Sequence, residues 1–393
     1  MGTNNKLTET YLPDKATRKE KIVVGLSGGI DSLVTAYLLK IQRYELIGVT
    51  IAPSHEQLGE DLFSCAINEK KIESIQAFCH QLGIPHFVER IGREFKERVV
   101  EKWRSRKALG EFPDQCWDCH ALRMHFLHNK MKELGAKTFA TGHYGKIVRM
   151  EHESLTSIQS SNDEAFDQSG LLSRLPQEIL HDLMLPLSDL QKKEVLKLAE
   201  NFGLQDSVKG VQIFHCLPEG DVTTNFLAAT LPARLRREGG VFGDEDDRIS
   251  DHEGVFNFSR GDVVVSGEKN KLLFSRYRYG DRKIVLQPPS WFERKEIILE
   301  KCEIPAETSW AIPFRGVLLK NGIPHDAWFY PKTLSACVVE LEKPMSFVEG
   351  EILSVQKKKG KNARVLLTGT VCFIEENKFE GEANAKADYS IDF

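Results

Sequence analysis

No stretch of this chain is long and apolar enough to span a bilayer, and residues 1–21 carry no apolar core of the kind that directs secretion. An excess of basic charge is missing too. With 53 lysines and arginines against 57 aspartates and glutamates the net charge is −4, so any nucleic-acid contact must use local patches. Cysteine is sparse. Eight in 393 residues, without an export signal, read as reduced thiols of a cytoplasmic protein and exclude a disulfide framework. No internal repeat occurs. The glycine-rich turn near the start has neither the Gly-Lys-Ser/Thr of a P-loop nor the G-x-G-x-x-G of a dinucleotide site.

What is present begins with an apolar run over 22–26, read as a buried strand, which stops at Ser27, Gly28 and Gly29 and passes into a helical pattern from about Ser32. Two glycines let backbone N–H groups converge on an anion, and the new helix turns its positive end to the same point. Ser27 and Ser32 add hydroxyl donors. Asp31, a carboxylate beside phosphates, is tolerable mainly if it helps to hold Mg²⁺. The whole string Gly25, Leu26, Ser27, Gly28, Gly29, Ile30, Asp31 and Ser32 resembles the pyrophosphate loop of the ATP-pyrophosphatases. That resemblance implies cleavage of ATP between the α and β phosphates and adenylation of a substrate.

Hydrophobic content of 41% and charged content of 28% are those of a soluble globular chain, and its length suits two or three domains. Apolar spacing predicts strands over 45–51, 86–90 and 138–141, and helices over 68–82, 94–106, 124–134 and 192–202. Strand and helix alternate, so residues 21–220 are expected to form a doubly wound parallel-sheet α/β domain. Ligands of such sheets sit at the carboxyl ends of the strands, where Gly28, Ile51 and Gly142 fall. Residues 150–173 are polar and read as a loop. A small central domain over 221–290 contains a Gly- and Asp-rich linker or hinge at 238–253. Short β-like runs at 262–265, 271–277, 283–286, 296–299, 316–319, 336–341, 352–356 and 364–374 end in a β-barrel-like domain over 291–375. Residues 1–20 read as a disordered lead-in and 376–393 as an acidic tail.

Cys116 and Cys119 form a C-x-x-C pair followed by His120. Such a pair can chelate a metal, run redox chemistry or supply a nucleophilic thiolate. Zinc would need two further ligands, and no second C-x-x-C or H-x₃-H exists; haem attachment would need export. The Phe112-Pro113 turn places the pair on an exposed loop at a helix N-terminus, where thiol pKa falls. Cys216 is a third candidate that spacing does not separate from Cys65 or Cys79. Arg234, Arg236 and Arg237, and the lysines of 357–361, are either phosphate contacts or solvated surface, and the second group also reads as a hairpin turn.

Over residues 20 to about 375 the chain resembles the tRNA-specific 2-thiouridylases. Their G-x-S-G-G-V-D-S loop matches Gly25 to Ser32, and their Ala-Thr-Gly-His-Tyr segment is intact from Ala140 to Tyr144. Their segment ending (Cys or Asp)-x-x-Cys-Asn corresponds to Gly110 to His120. Lys-Asp-Gln-Ser appears as Phe166, Asp167, Gln168 and Ser169, and Asp-Ser-Gln-x-Ile-Cys-Phe in eroded form across 206–217. The resemblance implies that Gly25 to Ser32, Ile51 and Gly142 hold ATP, with Mg²⁺ near Asp31. Cys119 and Cys216 would be the catalytic thiols, Cys216 carrying a persulfide. Asp114, Gln115, Cys116, Phe166, Asp167 and Gln168 would face the tRNA base or its loop, and the barrel would grip the tRNA. Cys116, Cys119 and Cys216 could together ligate a [4Fe-4S] cluster with one iron left open. A sulfur donor, either a persulfide carrier or a cysteine desulfurase relay, is the implied partner. The Asn-Pro before the pair and the Lys at 166 are lost here. The runner-up readings are another adenylate-forming ATP pyrophosphatase and a catalytically silent RNA-binding relative.

Overall fold

The computed structural model describes residues 20–53, 67, 69–149, 156–204, 221–243, 245–266, 270–278, 282–303, 312–320, 323–333, 335–359 and 363–373. β1 (Lys21–Gly25) has no exposure at Ile22, Val23 and Val24, as a strand covered on both faces requires. α1 (Ile30–Ile41) leads to β2 (Glu45–Ala52), and α2 (Glu69–Leu82) to β3 (His86–Arg90). A helix α3 over 92–108 follows, with a π-helical turn at Lys96–Val100. Next come α4 (Gln115–Glu133), β4 (Thr138–Ala140), β5 (Lys146–Arg149), β6 (Thr156–Gln159), α5 (Ser169–Leu172), α6 (Gln177–Asp182), β7 (Leu183–Met184) and α7 (Lys192–Asn201).

The sheet runs β3-β2-β1-β4-β7, every pair parallel, so the winding reverses between β1 and β4. Alternation along β1 sends Ile22 and Val24 to a core with Leu33, Ile72 and Phe78, and Val23 to a second core with Trp103, Leu122 and Phe139. The expected doubly wound domain is therefore present, and its crevice opens where β1 and β4 end side by side. No helix among the described residues is long and apolar enough to cross a membrane.

α8 (Asp221–Thr230) precedes a mixed sheet of β8 (Gly239–Phe242), β9 (Arg248–His252), β10 (Val263–Ser266), β11 (Asn270–Arg278) and β12 (Lys283–Gln287), in the order β10-β11-β12-β8-β9. Residues 238–253 are thus a hairpin in that sheet, not a hinge. Glycine at 239 marks close approach instead: a Cβ there would stand 2.0 Å from the Arg282 carbonyl. The third unit is a closed six-stranded barrel in the order β13-β16-β15-β14-β17-β18. Its strands are β13 (Glu293–Glu303), β14 (Phe314–Lys320), β15 (Ile323–Thr333), β16 (Ala336–Ser346), β17 (Ile352–Gln356) and β18 (Val365–Cys372). β15 escapes the sequence reading because Pro324 and Pro331 interrupt it, yet both are carried in the ladder.

Of the stretch read as a loop at 150–173, residues 150–155 lie outside the described residues and 156–173 carry regular structure. β5 and β6 pair antiparallel, and a 3₁₀ turn at Glu164–Phe166 precedes α5. This segment seats the barrel: Ser160 N–H donates to the Ala363 carbonyl at 2.9 Å, and Gln356 Nε2 donates to Ser160 Oγ at 2.5 Å.

Candidate active site

Gly28 adopts φ 73°, a region open to glycine, and lies beneath Lys71: a Cβ there would come within 2.8 Å of Lys71 Cε. Ser32 Oγ donates to the Gly29 carbonyl at 2.8 Å and accepts from Ser27 N–H at 3.3 Å, folding the turn over the start of α1. Gly29 occupies the N-cap without a side-chain cap, leaving the helix N–H groups directed at the turn. Gly142, after β4, presses on the same backbone; a Cβ would stand 2.7 Å from the Asp31 carbonyl carbon and 2.8 Å from Ser32 N. Gly142→Ala is expected to cost about 1–3 kcal/mol by overpacking and to raise KM for ATP. Urea unfolding and an ATP titration read both effects, and an unchanged KM would show that strand end and loop are not locked together. Ile51 keeps its side chain in the core beside Val49.

Asp31 is not an open carboxylate. Lys192 Nζ, on the first residue of α7, donates to its two oxygens at 2.6 and 2.7 Å, and Tyr144 Oη donates to Oδ1 at 2.8 Å. Lys192 Nζ stands beside the rings of Tyr144 and Phe166, 5.7 and 5.6 Å from their centroids, and its backbone N–H donates to Asp163 at 2.8 Å. Burial, reinforced by Asp31, drives the Tyr144 pKa far up, so this phenol stays protonated as a donor. Mg²⁺, expected at Asp31, finds both oxygens taken by an ammonium, and the residues as arranged do not fit it.

Sequence reasoning treated Lys192 only as a helix start. The signal available was electrostatic: Lys192 and Lys193 sit at the positive end of a helix, where a cation is unfavourable unless an anion answers it.

α4 begins at Gln115, nine residues before the expected start at 124, because the apolar pattern is diluted by Asp118, His120 and Arg123. The cysteine pair is therefore inside the first turns of a 19-residue helix and not on a loop. Cys116 is exposed and Cys119 is buried. Asp114, at the N-cap, pairs with Arg174 at 3.2 Å, and Arg174 lies 3.9 Å over the Trp117 ring. Burial raises the Asp114 pKa, with Arg174 opposing it. Asp167 accepts from Ser161 N–H at 2.8 Å and Ser169 Oγ at 2.6 Å, while Gln168 Oε1 accepts from Tyr144 N–H at 2.9 Å.

Asp114, Asp167 and Gln168 share a cavity of about 380 Å³ with Arg174, and the barrel closes it with Ser354 and Gln356. Three of the six residues expected at the base thus line one space. Phe166 instead stands 41% exposed beside Lys192. Cys216 and the segment 206–217 lie outside the described residues. Among the described residues no cluster of three His, Cys, Asp or Glu is disposed to hold a metal ion.

His143 Nδ1 is 2.8 Å from Thr141 Oγ1, and its ring meets that of His120 edge-on at 5.0 Å. Burial pulls the His143 pKa down to about 4, with Asp31 opposing. An unfolded histidine takes its proton near 6.5, so between pH 6.5 and 4 the unfolded chain binds more protons. Stability is complete above pH 6.5 and falls by about 2–3 kcal/mol toward pH 4 on this account. Urea unfolding against pH should show that loss diminished in His143→Gln; identical profiles would contradict it.

Residues 20–211 match the family described as tRNA methyl transferase HUP domain. The tRNA-specific 2-thiouridylase MnmA of Rhizobium leguminosarum bv. trifolii (strain WSM2304) is 28% identical over 95% of this chain and 96% of its own length. That of Zymomonas mobilis subsp. mobilis (strain ATCC 31821 / ZM4 / CP4) is 30% identical, covering 76% of this chain and 80% of its own. In Desulfitobacterium hafniense (strain Y51) the likeness, 30% identical, spans 66% of the relative, just under two thirds. A solved 4-thiouridine synthetase–RNA complex with bound ATP is 18% identical, covering 51% of this chain and 46% of its own, with a TM-score of 0.34. On the identities and coverage of these relatives, the chain belongs to the tRNA-specific 2-thiouridylase family.

Proposed function

We propose that this chain is an ATP-dependent tRNA-uridine 2-sulfurtransferase acting at the wobble position, in the cytoplasm. The C2 oxygen of the uridine attacks the α phosphorus of ATP and pyrophosphate leaves. A sulfur nucleophile then adds at C2 and AMP departs, because adenylation has turned a poor leaving group into a good one. Gly25 to Ser32, Ile51 and Gly142 hold the nucleotide, and Lys192 supplies positive charge to the phosphates. Any Mg²⁺ would come with the phosphates of ATP and not be held by the free loop. Asp114, Gln115, Cys116, Phe166, Asp167 and Gln168 face the base or its RNA loop.

Sulfur comes from a persulfide donor to Cys216, and Cys119 attacks the carrier sulfur to release it, leaving a disulfide for an external thiol to reduce. A [4Fe-4S] cluster on Cys116, Cys119 and Cys216 is the competing route; such a cluster would supply a sulfide on its open iron. The observation carrying the reading is the convergence of Asp114, Asp167 and Gln168 on one cavity at the start of the cysteine helix. Product analysis tests it: AMP and pyrophosphate are expected from ATP and tRNA, and ADP as the main product would reject it.

Arg234, Arg236 and Arg237 are exposed, with Arg236 also donating to the Ala228 carbonyl at 2.6 Å. In an acidic chain they are the first group proposed to meet RNA phosphates. Their triple replacement by glutamine should weaken tRNA binding and flatten its logarithmic salt dependence by about 2–3. Unchanged affinity would remove this patch from the interface.

A further inference from the structure

Gln356, the last residue of β17, lines the cavity from the barrel side and is 3% exposed. One end of its amide is committed. Ser160 Oγ directs its own hydrogen to the Ala363 carbonyl at 3.4 Å, so it accepts from Gln356 Nε2. The amide therefore faces one way and leaves Oε1 as its open end. Among the described residues nothing donates to Oε1, and it is not sealed in the interior. A buried glutamine with an acceptor left open on a cavity wall calls for a donor from outside the chain.

The rest of the wall says what kind of donor fits. The cavity holds about 380 Å³, within the range of small-molecule sites. Asp114, Glu164 and Asp167 outnumber Arg174, which already pairs with Asp114, so the wall repels phosphate. Leu319 and Ile352 add apolar surface from the barrel. A neutral base unstacked from its RNA suits that wall, with a ring for the apolar side and an N–H edge for the acceptor. Uracil presents N3–H between two carbonyls, whereas cytosine presents a bare N3. Ser354, two residues before Gln356 and on the same face of β17, adds a hydroxyl that can donate to a carbonyl.

We propose that Gln356 is a specificity-determining residue: its Oε1 accepts the N3–H of the uracil received in this cavity, so the barrel takes part in choosing the base. The proposal rests on the uridine-modifying reading above for the identity of the base.

The test uses the full chain and an anticodon stem-loop RNA carrying ¹⁵N at N3 of its target uridine. In the free loop that imino proton exchanges with water and gives no signal; bound to the parent protein it should appear. Gln356→Met, close in shape but without the acceptor, should erase the signal and weaken binding of the uridine RNA roughly tenfold, as for one lost hydrogen bond. The same RNA with cytidine at that position should bind the parent more weakly and be unaffected by the substitution.

An imino proton that stays unseen in the parent complex, or equal binding of the two RNAs, would overturn the proposal, and both results need only the parent protein. So would a signal that survives Gln356→Met, or a variant that binds both RNAs equally less well, the mark of a residue that only seats the barrel. A parent protein that shows the imino signal and prefers uridine yet releases no AMP would overturn the reaction and leave this assignment standing.

Discussion

Replacing Lys192 by methionine is expected to cut tRNA-dependent AMP formation by roughly 100- to 1,000-fold, the scale of losing a preorganised charge at a reacting phosphate. The expectation follows from placement. Its ammonium reaches both Asp31 oxygens, the side chain is 10% exposed, and two aromatic rings fix it at the end of the loop. A triphosphate entering that loop would offer the ammonium a stronger partner than one carboxylate. Lys192→Met also leaves Asp31 with the Tyr144 hydroxyl as a donor, and Asp31 is 30% exposed, so solvent softens the penalty to about 1–2 kcal/mol. The double variant Lys192→Met, Asp31→Asn separates the two effects. Urea unfolding should show stability regained while AMP formation stays low. Activity returning with stability would mean that the ion pair only holds the fold.

Cys119→Ala is expected to abolish sulfur incorporation while AMP formation persists within about tenfold, since the thiol acts after adenylation. Cys119 lies buried in the first turns of α4. The packing cost of removing one sulfur is small, about 1 kcal/mol, so loss of product would not reflect unfolding. A ligase with no use for the cysteines would form its product unchanged. Cys116→Ala then divides the two sulfur routes. An active, iron-free variant fed by a persulfide donor leaves the two-cysteine route; iron and activity lost together in Cys116→Ala, Cys119→Ala and Cys216→Ala require the cluster.

The parallel sheet and the loop after β1 were legible because both are local. A buried strand is an apolar run, and Gly28 and Gly29 sit where the chain turns from β1 into α1. The barrel was legible as spacing, except for β15, whose prolines contradict local strand preference and are tolerated only by their ladder positions. The first turns of α4 were hidden by polar residues that packing accommodates, among them Asp118, which pairs with Lys102 and Arg106 of α3. Lys192 was invisible for a different reason: it is 161 positions from Asp31, and no local pattern records a long-range ion pair. The same holds for Ser354 and Gln356, which reach the cavity only because the barrel docks on the β5–β6 hairpin. Glycines at 239 and 240 misled in the opposite sense, since close packing of strands demands them as much as a hinge does.

The central claim is that adenylation and sulfur transfer occur on one uridine. Its most direct measurement is nucleoside mass spectrometry of tRNA incubated with the purified chain, ATP and a persulfide donor, alongside AMP released. The account predicts 2-thiouridine appearing with at least one AMP for each base changed, and none when ATP is omitted. AMP formed with no thiolated nucleoside, or thiolation that proceeds without ATP, would contradict it.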